Sequence, residues 1–194
     1  MDNHNTPEPT GKRKRISISK VPFKATPAIV DPNEFTQNKC SKNARKIGNE
    51  IESLNLEYWI DKHYQIREQH GDDNGKRDGI EQDKVYGLVK ECIKHLMLYS
   101  ASVKNFIFVN HSSQQAGNRS IRIVCQKEND GGVLNVVIEA HAIKLNLFEI
   151  TIITAIQKAD FQLSDGQYSV EITAPGNSTL WFNSRGKITD ISKI

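Results

Sequence analysis

The sequence predicts an α+β domain in which N-terminal helices pack on a curved, mainly antiparallel β-sheet. Between residues 41 and 99, apolar residues recur every three or four positions, as in amphipathic helices. After residue 102 the apolar period changes to two, as in half-buried strands. Short turn signals then separate one strand from the next. Helices first and hairpins afterwards are typical of an α+β fold.

The first 39 residues differ in composition from the rest. They hold five of the six prolines and few large apolar residues, so we expect a disordered leader followed by a domain over residues 40–194. Residues 11–24 carry six Lys and Arg and no acidic residue, whereas the domain is nearly neutral. The block GKRKR at 11–15 resembles a short import signal or a nucleic-acid-binding arm. A solvated basic tail is the alternative.

Composition points to a protein of a reducing compartment. The chain has 194 residues and no apolar run long enough to span a bilayer, and its N-terminus lacks the apolar segment of a signal peptide. Cys40, Cys92 and Cys125 are widely spaced and odd in number, which argues against a disulfide framework. Cys92 and Cys125 lie in apolar patterns and are expected in the core. We therefore expect a cytoplasmic protein without a membrane segment.

Three helices are predicted before the sheet. The first spans residues 41–54, the second spans 56–71, and the third runs from about 78 to 99. The first two are either separate or continuous through Asn55. A turn-rich, highly charged loop separates the second helix from the third.

The strands follow in close succession. Candidate strands span 103–110, 120–126, 133–143, 147–157, 167–173 and 179–183, with a short one at 187–191. The best defined runs from Leu147 to Ile156. Alternation places Phe148, Ile150, Ile152 and Ile156 on one of its faces, with Thr154 among them. Both faces are largely apolar, so this segment is predicted to be the central strand.

The segment LEYWIDKHYQIREQHG at 56–71 holds the densest group of reactive side chains. Read as a helix, it places His63, Arg67 and His70 on the face that also carries Trp59 and Ile60. An ordinary amphipathic helix turns its basic residues towards solvent. The functional interpretation is a catalytic cluster. The alternative is that His63 caps the core while Arg67 forms an ordinary ion pair.

The pattern H-x-x-x-R-x-x-H suits a phosphodiester. Cleaving RNA without a metal requires a base for the 2′-hydroxyl, an acid for the leaving oxygen and a cation for the phosphorane. His70, at the predicted helix C-terminus, is expected to be the acid, because the helix dipole there favours the protonated imidazole. His63, expected to be more desolvated, is the predicted base. Arg67 offers a guanidinium fork to the phosphate oxygens.

Other common sites are absent from the sequence. There is no nucleotide-binding glycine loop of either common type, no H-E-x-x-H and no G-x-S-x-G. His63 and His70 are seven positions apart, which does not suit two ligands of one metal from adjacent turns. Glu139 and His141 share a strand face and could add ligands, but three or four convergent groups are needed. No metal or other cofactor is expected.

The motif and the order of elements over residues 41–192 resemble the Barnase–EndoU–Colicin–RelE superfamily of small RNase toxins, and particularly its phage-encoded and polymorphic-toxin branches. The resemblance implies a metal-independent endoribonuclease whose site lies between the N-terminal helices and the sheet. It maps the motif positions to His63, Arg67 and His70. It also implies a cognate inhibitor or immunity protein as a possible partner besides RNA.

Many members of that superfamily add a serine or threonine from a strand. Thr154 is the position that matches best, and Thr151 and Ser169 follow it. Lys76 and Arg77, in the loop after His70, are candidates for contacts with neighbouring phosphates; a solvated loop is the alternative.

Two other classes of function remain open from the sequence. One is a non-catalytic interaction module, such as an inhibitor or adaptor, on the same α+β scaffold. The other is a nucleic-acid-binding protein that uses its basic tail. The nearly neutral domain favours the interaction module over the tail-dependent binder. The clustering of His63, Arg67 and His70 on one predicted face favours the RNase over both.

Overall fold

The computed structural model describes residues 35–51, 54–70, 79–111, 120–129 and 131–194. Its elements, in chain order, are β1 (Ala44–Ile51), β2 (Asn55–Asp61), α1 (Lys62–His70), α2 (Gln82–Ser102), β3 (Val109–His111), β4 (Ile123–Asn129), β5 (Gly132–Lys144), β6 (Leu147–Gln157), β7 (Tyr168–Ala174), β8 (Asn177–Ser184) and β9 (Lys187–Lys193). No helix within these ranges is long and apolar enough to cross a membrane.

All nine described strands join one sheet. The strand order is β1-β2-β6-β5-β4-β7-β8-β9, and β3 extends the sheet by pairing with β5. Most neighbours are antiparallel, while β2–β6, β3–β5 and β4–β7 are parallel. The α+β class with a mostly antiparallel sheet is thus confirmed. The sheet is larger than predicted and is not strongly curved, and the described helices number only two.

The predicted helix over residues 41–54 is wrong, because β1 occupies most of it. Ala44 is buried and Ile47 packs against the core, a spacing of three that resembles one helical turn. In the structure this spacing has another cause. The pairing of β1 with β2 places Ala44 opposite Asp61, on the face away from the main core, and ordinary strand alternation then turns Ile47 towards the core.

The predicted helix over residues 56–71 is wrong in its first half. Residues 55–61 form β2, in which Leu56, Tyr58 and Ile60 alternate into the core. The same stretch also satisfies a helical pattern, since short apolar runs fit both periods. Its aromatic and β-branched residues favour a strand. Parallel pairing with β6, from Asn55↔Leu147 to Ile60↔Ile152, decides the outcome.

The third predicted helix is confirmed as α2, and its apolar stripe forms the core with one face of the sheet. The buried side chains of α2 are Val85, Leu88, Val89, Cys92, Ile93, His95, Leu96 and Tyr99. Glu68 of α1 accepts a hydrogen bond from the backbone N–H of Gln82 at 2.9 Å, which satisfies one of the free donors at the start of α2. Cys92 and Cys125 are free, buried core residues, as predicted.

The interior position of β6 is confirmed, since β2 and β5 flank it on either side. The predicted alternation of its two faces is correct only as far as Ile152. There the pairing with β5 shifts register: Ile152 pairs with Ile138, but Thr154 pairs with the adjacent residue Val137. Ile153 is the extra residue of this bulge. Beyond it Ala155, rather than Thr154 or Ile156, packs in the main core. The bulge therefore releases Thr154 from the apolar face on which simple alternation placed it.

The opposite face of the sheet carries a smaller apolar cluster. Val124, Val137 and Leu163 are buried together there, with Ile153 and Phe161 packed against them. Leu163 and Phe161 belong to the connection that carries the chain from β6 across the sheet to β7, beside β4. Helix α2 covers one face of the sheet. This connection and the segment 35–43 cover parts of the opposite face. The face that they cover is called the outer face below.

Residues 35–39 were assigned to the predicted leader. Thr36 forms a β-bridge with Ala44, and the side chain of Asn38 is buried against β6. The segment 35–43 is therefore held on the outer face of the sheet. The rest of the predicted leader, residues 1–34 with the basic block 11–15, lies outside the described residues.

Candidate functional site

Helix α1 lies beside the second half of β6. The pairing of β2 with β6 ends at Ile60↔Ile152, and β6 continues to Gln157. The chain turns at Asp61, whose Oδ1 accepts a hydrogen bond from the backbone N–H of His63 at 2.8 Å. This contact caps the first turn of α1. The helix then takes the place beside β6 that β2 has left.

Two predicted catalytic residues meet at this junction. Arg67 Nη1 donates a hydrogen bond to Thr154 Oγ1 at 2.7 Å, although the residues are 87 positions apart. Thr154 lines a cleft of about 560 Å³, together with Ile153, Val137, Phe161 and Arg122. The guanidinium of Arg67 is thus held at the edge of a cleft by a threonine that the β6 bulge has freed.

His63 is not desolvated as predicted. Because α1 begins only at Lys62, His63 lies in the first turn, and its side chain is exposed. Tyr64 and Gln65 take the buried positions instead, and Tyr64 donates a hydrogen bond to the carbonyl of Ile80 at 2.9 Å. Burial raises the pKa of the Tyr64 phenol, so it stays a neutral donor. His63 therefore precedes Arg67 by one turn on the accessible part of the helix.

Three predicted site residues fall at or beyond the end of the described part of α1. His70 is the last residue of α1, and its side chain lies outside the described part of the structure. Lys76 and Arg77 fall in the segment 71–78, which is also outside it. Along a helix His63 and His70 are separated by a rise of about 10 Å. Arg67 lies between them.

Thr151 and Ser169 do not share this position. Thr151 is fully buried, and its Oγ1 accepts a hydrogen bond from Asn38 Nδ2 at 2.7 Å. Ser169 is also buried, in β7 beside Val124 of β4. Both side chains point towards chain segments that cover the sheet. Neither side chain is therefore open to a substrate.

A second polar cluster lies on the outer face, and sequence reasoning found only two of its members. Glu139 Oε1 accepts a hydrogen bond from Arg122 Nε at 2.6 Å, and Glu139 Oε2 lies 3.2 Å from His141 Nε2. The Cys40 thiol lies beside the same carboxylate, with its Sγ within 4.8 Å of the ligand atoms of Glu139 and His141. Alternation along β5 had paired Glu139 with His141. Nothing in the sequence signals that Cys40, about a hundred positions earlier, completes the group.

Burial, hydrogen bonds and neighbouring charges shift the pKa values of Glu139 and Cys40 in this cluster. Burial opposes ionisation of Glu139, but hydrogen bonds from His141, Arg122 and Cys40 outweigh it and lower the pKa of the carboxyl from 4.5 to about 2. Burial, reinforced by the Glu139 carboxylate, raises the pKa of the Cys40 thiol. In this arrangement the carboxylate is ionised and the thiol is protonated.

The lowered pKa predicts acid lability. A folded-state pKa below the unfolded value stabilises the protein fully above pH 4.5, and this contribution is lost as the pH falls towards 2. Urea unfolding of the wild type should therefore show a decline in midpoint over this window. Glu139→Gln should be less stable at pH 7 and should show a shallower decline. Glu128→Gln, on an exposed carboxyl, is the control. A Glu139→Gln profile parallel to the wild type would contradict the assignment.

Comparison with family models, with curated proteins and with solved structures found no significant match. The superfamily resemblance therefore stays an expectation from the sequence.

Proposed function

We propose that the chain is a metal-independent endoribonuclease of the toxin or effector type. The observation that carries the proposal is the 2.7 Å hydrogen bond between Arg67 and Thr154 at the edge of the cleft. It joins the arginine of the helix motif to the strand hydroxyl that the superfamily resemblance implies. A threonine that orients a guanidinium at a cleft suits the recognition of a phosphodiester.

The surroundings of Arg67 support the same chemistry. His63 is exposed one turn earlier, so a substrate as large as RNA can approach its imidazole. Arg122 lines the cleft that Thr154 also lines, and its side chain is half exposed. One guanidinium group, that of Arg122, thus lines the cleft, and a second, that of Arg67, bonds the cleft residue Thr154; positive charge of this kind suits a phosphodiester backbone.

The proposed roles are those that the motif assigns. His63 removes the proton of the 2′-hydroxyl, Arg67 neutralises the charge of the phosphorane, and His70 protonates the leaving 5′-oxygen. Thr154 positions Arg67. Lys76 and Arg77 follow His70 in the chain and contact neighbouring phosphates in this proposal.

The test is RNA cleavage by the purified full-length chain. We expect cleavage that a chelator such as EDTA leaves unchanged, with products ending in a 2′,3′-cyclic phosphate, because the 2′-oxygen is the nucleophile. An acid–base pair should also give a bell-shaped dependence of rate on pH. Cleavage that requires added Mg²⁺ or Mn²⁺, or products with a 5′-phosphate and a free 3′-hydroxyl, would overturn the mechanism.

A non-catalytic interaction module is the second candidate, and one observation favours it. Strand β9 ends the sheet, and two of its apolar side chains, Ile188 and Ile191, are 52% and 41% exposed, as is Ile194 directly after it at 39%. An apolar edge strand is a common place for a partner to bind. If the purified chain cuts no RNA, this edge becomes the leading candidate for function.

A further inference from the structure

The cluster on the outer face brings together the three kinds of side chain that bind zinc. Cys40, Glu139 and His141 each present one ligand atom, and these atoms all lie within 4.8 Å of one another. Thiolate, imidazole and carboxylate are the protein ligands of Zn²⁺. We propose that Cys40, Glu139 and His141 bind a thiophilic divalent cation such as Zn²⁺, which fastens the segment 35–43 to the sheet.

The distances suit such an ion. In a tetrahedral site with Zn–N and Zn–O bonds of about 2.0–2.1 Å, neighbouring ligand atoms lie about 3.3–3.4 Å apart. Glu139 Oε2 and His141 Nε2 are 3.2 Å apart. The ion requires little movement of these two side chains, since both project from β5 two residues apart.

The surroundings hold each ligand in place. Arg122 occupies Oε1 of Glu139 and so directs Oε2 towards the ion. Such outer hydrogen bonds to a ligating carboxylate are usual in metal sites. Asn38 Oδ1 accepts hydrogen bonds from the backbone N–H groups of Cys40 and Ser41 at 3.0 and 2.7 Å. These two bonds fix the turn that carries the thiol.

The charge and proton balance is simple. The Cys40 thiol loses one proton as its sulfur bonds the ion, Glu139 is already ionised, and His141 binds as the neutral tautomer protonated on Nδ1. The thiolate and the carboxylate then offset the two positive charges of the ion, and the guanidinium of Arg122, bonded to the carboxylate, leaves the group with one positive charge. Three protein ligands leave one tetrahedral position to water.

The three ligand residues are distinct from the proposed catalytic residues, although Arg122 both bonds Glu139 and lines the cleft. Cys40 precedes β1, whereas His63 and Arg67 lie on α1. The role of the site is structural, because it joins the segment before β1 to the middle of the sheet. The bond from Asn38 to Thr151 and the bond from the Lys39 N–H to Glu149 join the same segment to β6.

The experiment uses Co²⁺ as a spectroscopic substitute for Zn²⁺. Reduced, chelator-treated full-length protein is titrated with Co²⁺ and then with Zn²⁺. We expect a thiolate-to-cobalt absorption band in the near ultraviolet, saturation at one ion per chain, and loss of the band when Zn²⁺ displaces Co²⁺. Absence of the band at excess Co²⁺ would overturn the proposal.

Variants assign the band to the cluster. Cys40→Ser should abolish it, and His141→Ala should weaken Co²⁺ affinity by at least about tenfold, since even outer-shell changes cost 10- to 100-fold. His111→Ala, an exposed histidine on β3, is the matched control and should bind as the wild type does. Circular dichroism confirms that each variant is folded. A band that persists in Cys40→Ser would place the metal elsewhere and refute the site.

Discussion

Replacing His63 by alanine is expected to reduce RNA cleavage about 10²- to 10⁴-fold, the usual contribution of a general acid or base. The protein should remain folded, because the His63 side chain is exposed and only its backbone N–H bonds Asp61. The measurement is single-turnover cleavage of a labelled RNA, with circular dichroism of each variant. His70→Ala should have an effect of the same order if His70 is the acid.

The same experiment separates charge from geometry at Arg67. Arg67→Ala should cost about 10²- to 10³-fold, as loss of one preorganised donor to the transition state does. Arg67→Lys keeps the charge but loses the fork, so it should recover only part of the activity. Thr154→Val, which removes the acceptor of the Arg67 hydrogen bond, should lower the rate less than Arg67→Ala.

The control for these variants is His111→Ala, which removes an exposed imidazole from β3 rather than from α1. It should cleave RNA at the wild-type rate. If His63→Ala also cleaves at the wild-type rate, His63 is not the base. If the His63→Ala, His70→Ala double variant is fully active, the proposed mechanism is refuted.

The second large effect is expected in the core. Ile152→Asp should prevent folding, because Ile152 is 0% exposed in a strand flanked by β2 and β5. A buried, unpaired charge costs several kcal/mol, which is comparable with the whole stability of a typical domain, about 5–15 kcal/mol. Ile152→Val removes one methyl group and should cost only about 0.5–1.5 kcal/mol.

The matched control is Ile188→Asp. Ile188 lies on the edge strand β9 and is 52% exposed, so an aspartate there stays in water. We expect this variant to unfold at nearly the wild-type urea concentration. A soluble, cooperatively folding Ile152→Asp protein would contradict the position of β6 inside the sheet.

The sequence by itself determined the class of the fold and most of its second half. The apolar stripe of α2 and the apolar alternation of the later segments located α2 and the strands β4 to β9, and turn residues mark most of their ends. The interior place of β6 was also readable, because apolar residues on both strand faces indicate burial on both sides. The hydrogen bond from Arg67 to Thr154 joins two residues that the sequence analysis named, and their catalytic role stays a prediction.

The tertiary structure alone decided the elements and contacts that depend on distant residues. Residues 55–61 fit both periods, and pairing with β6 made them a strand. The bulge at Ile153 released Thr154 to the cleft, and a bulge leaves no reliable mark in an apolar pattern. Cys40 met Glu139 and His141 because the segment 35–43 folds back over the sheet. Contacts across a hundred residues follow from the packing of the whole sheet, which local periodicity does not encode.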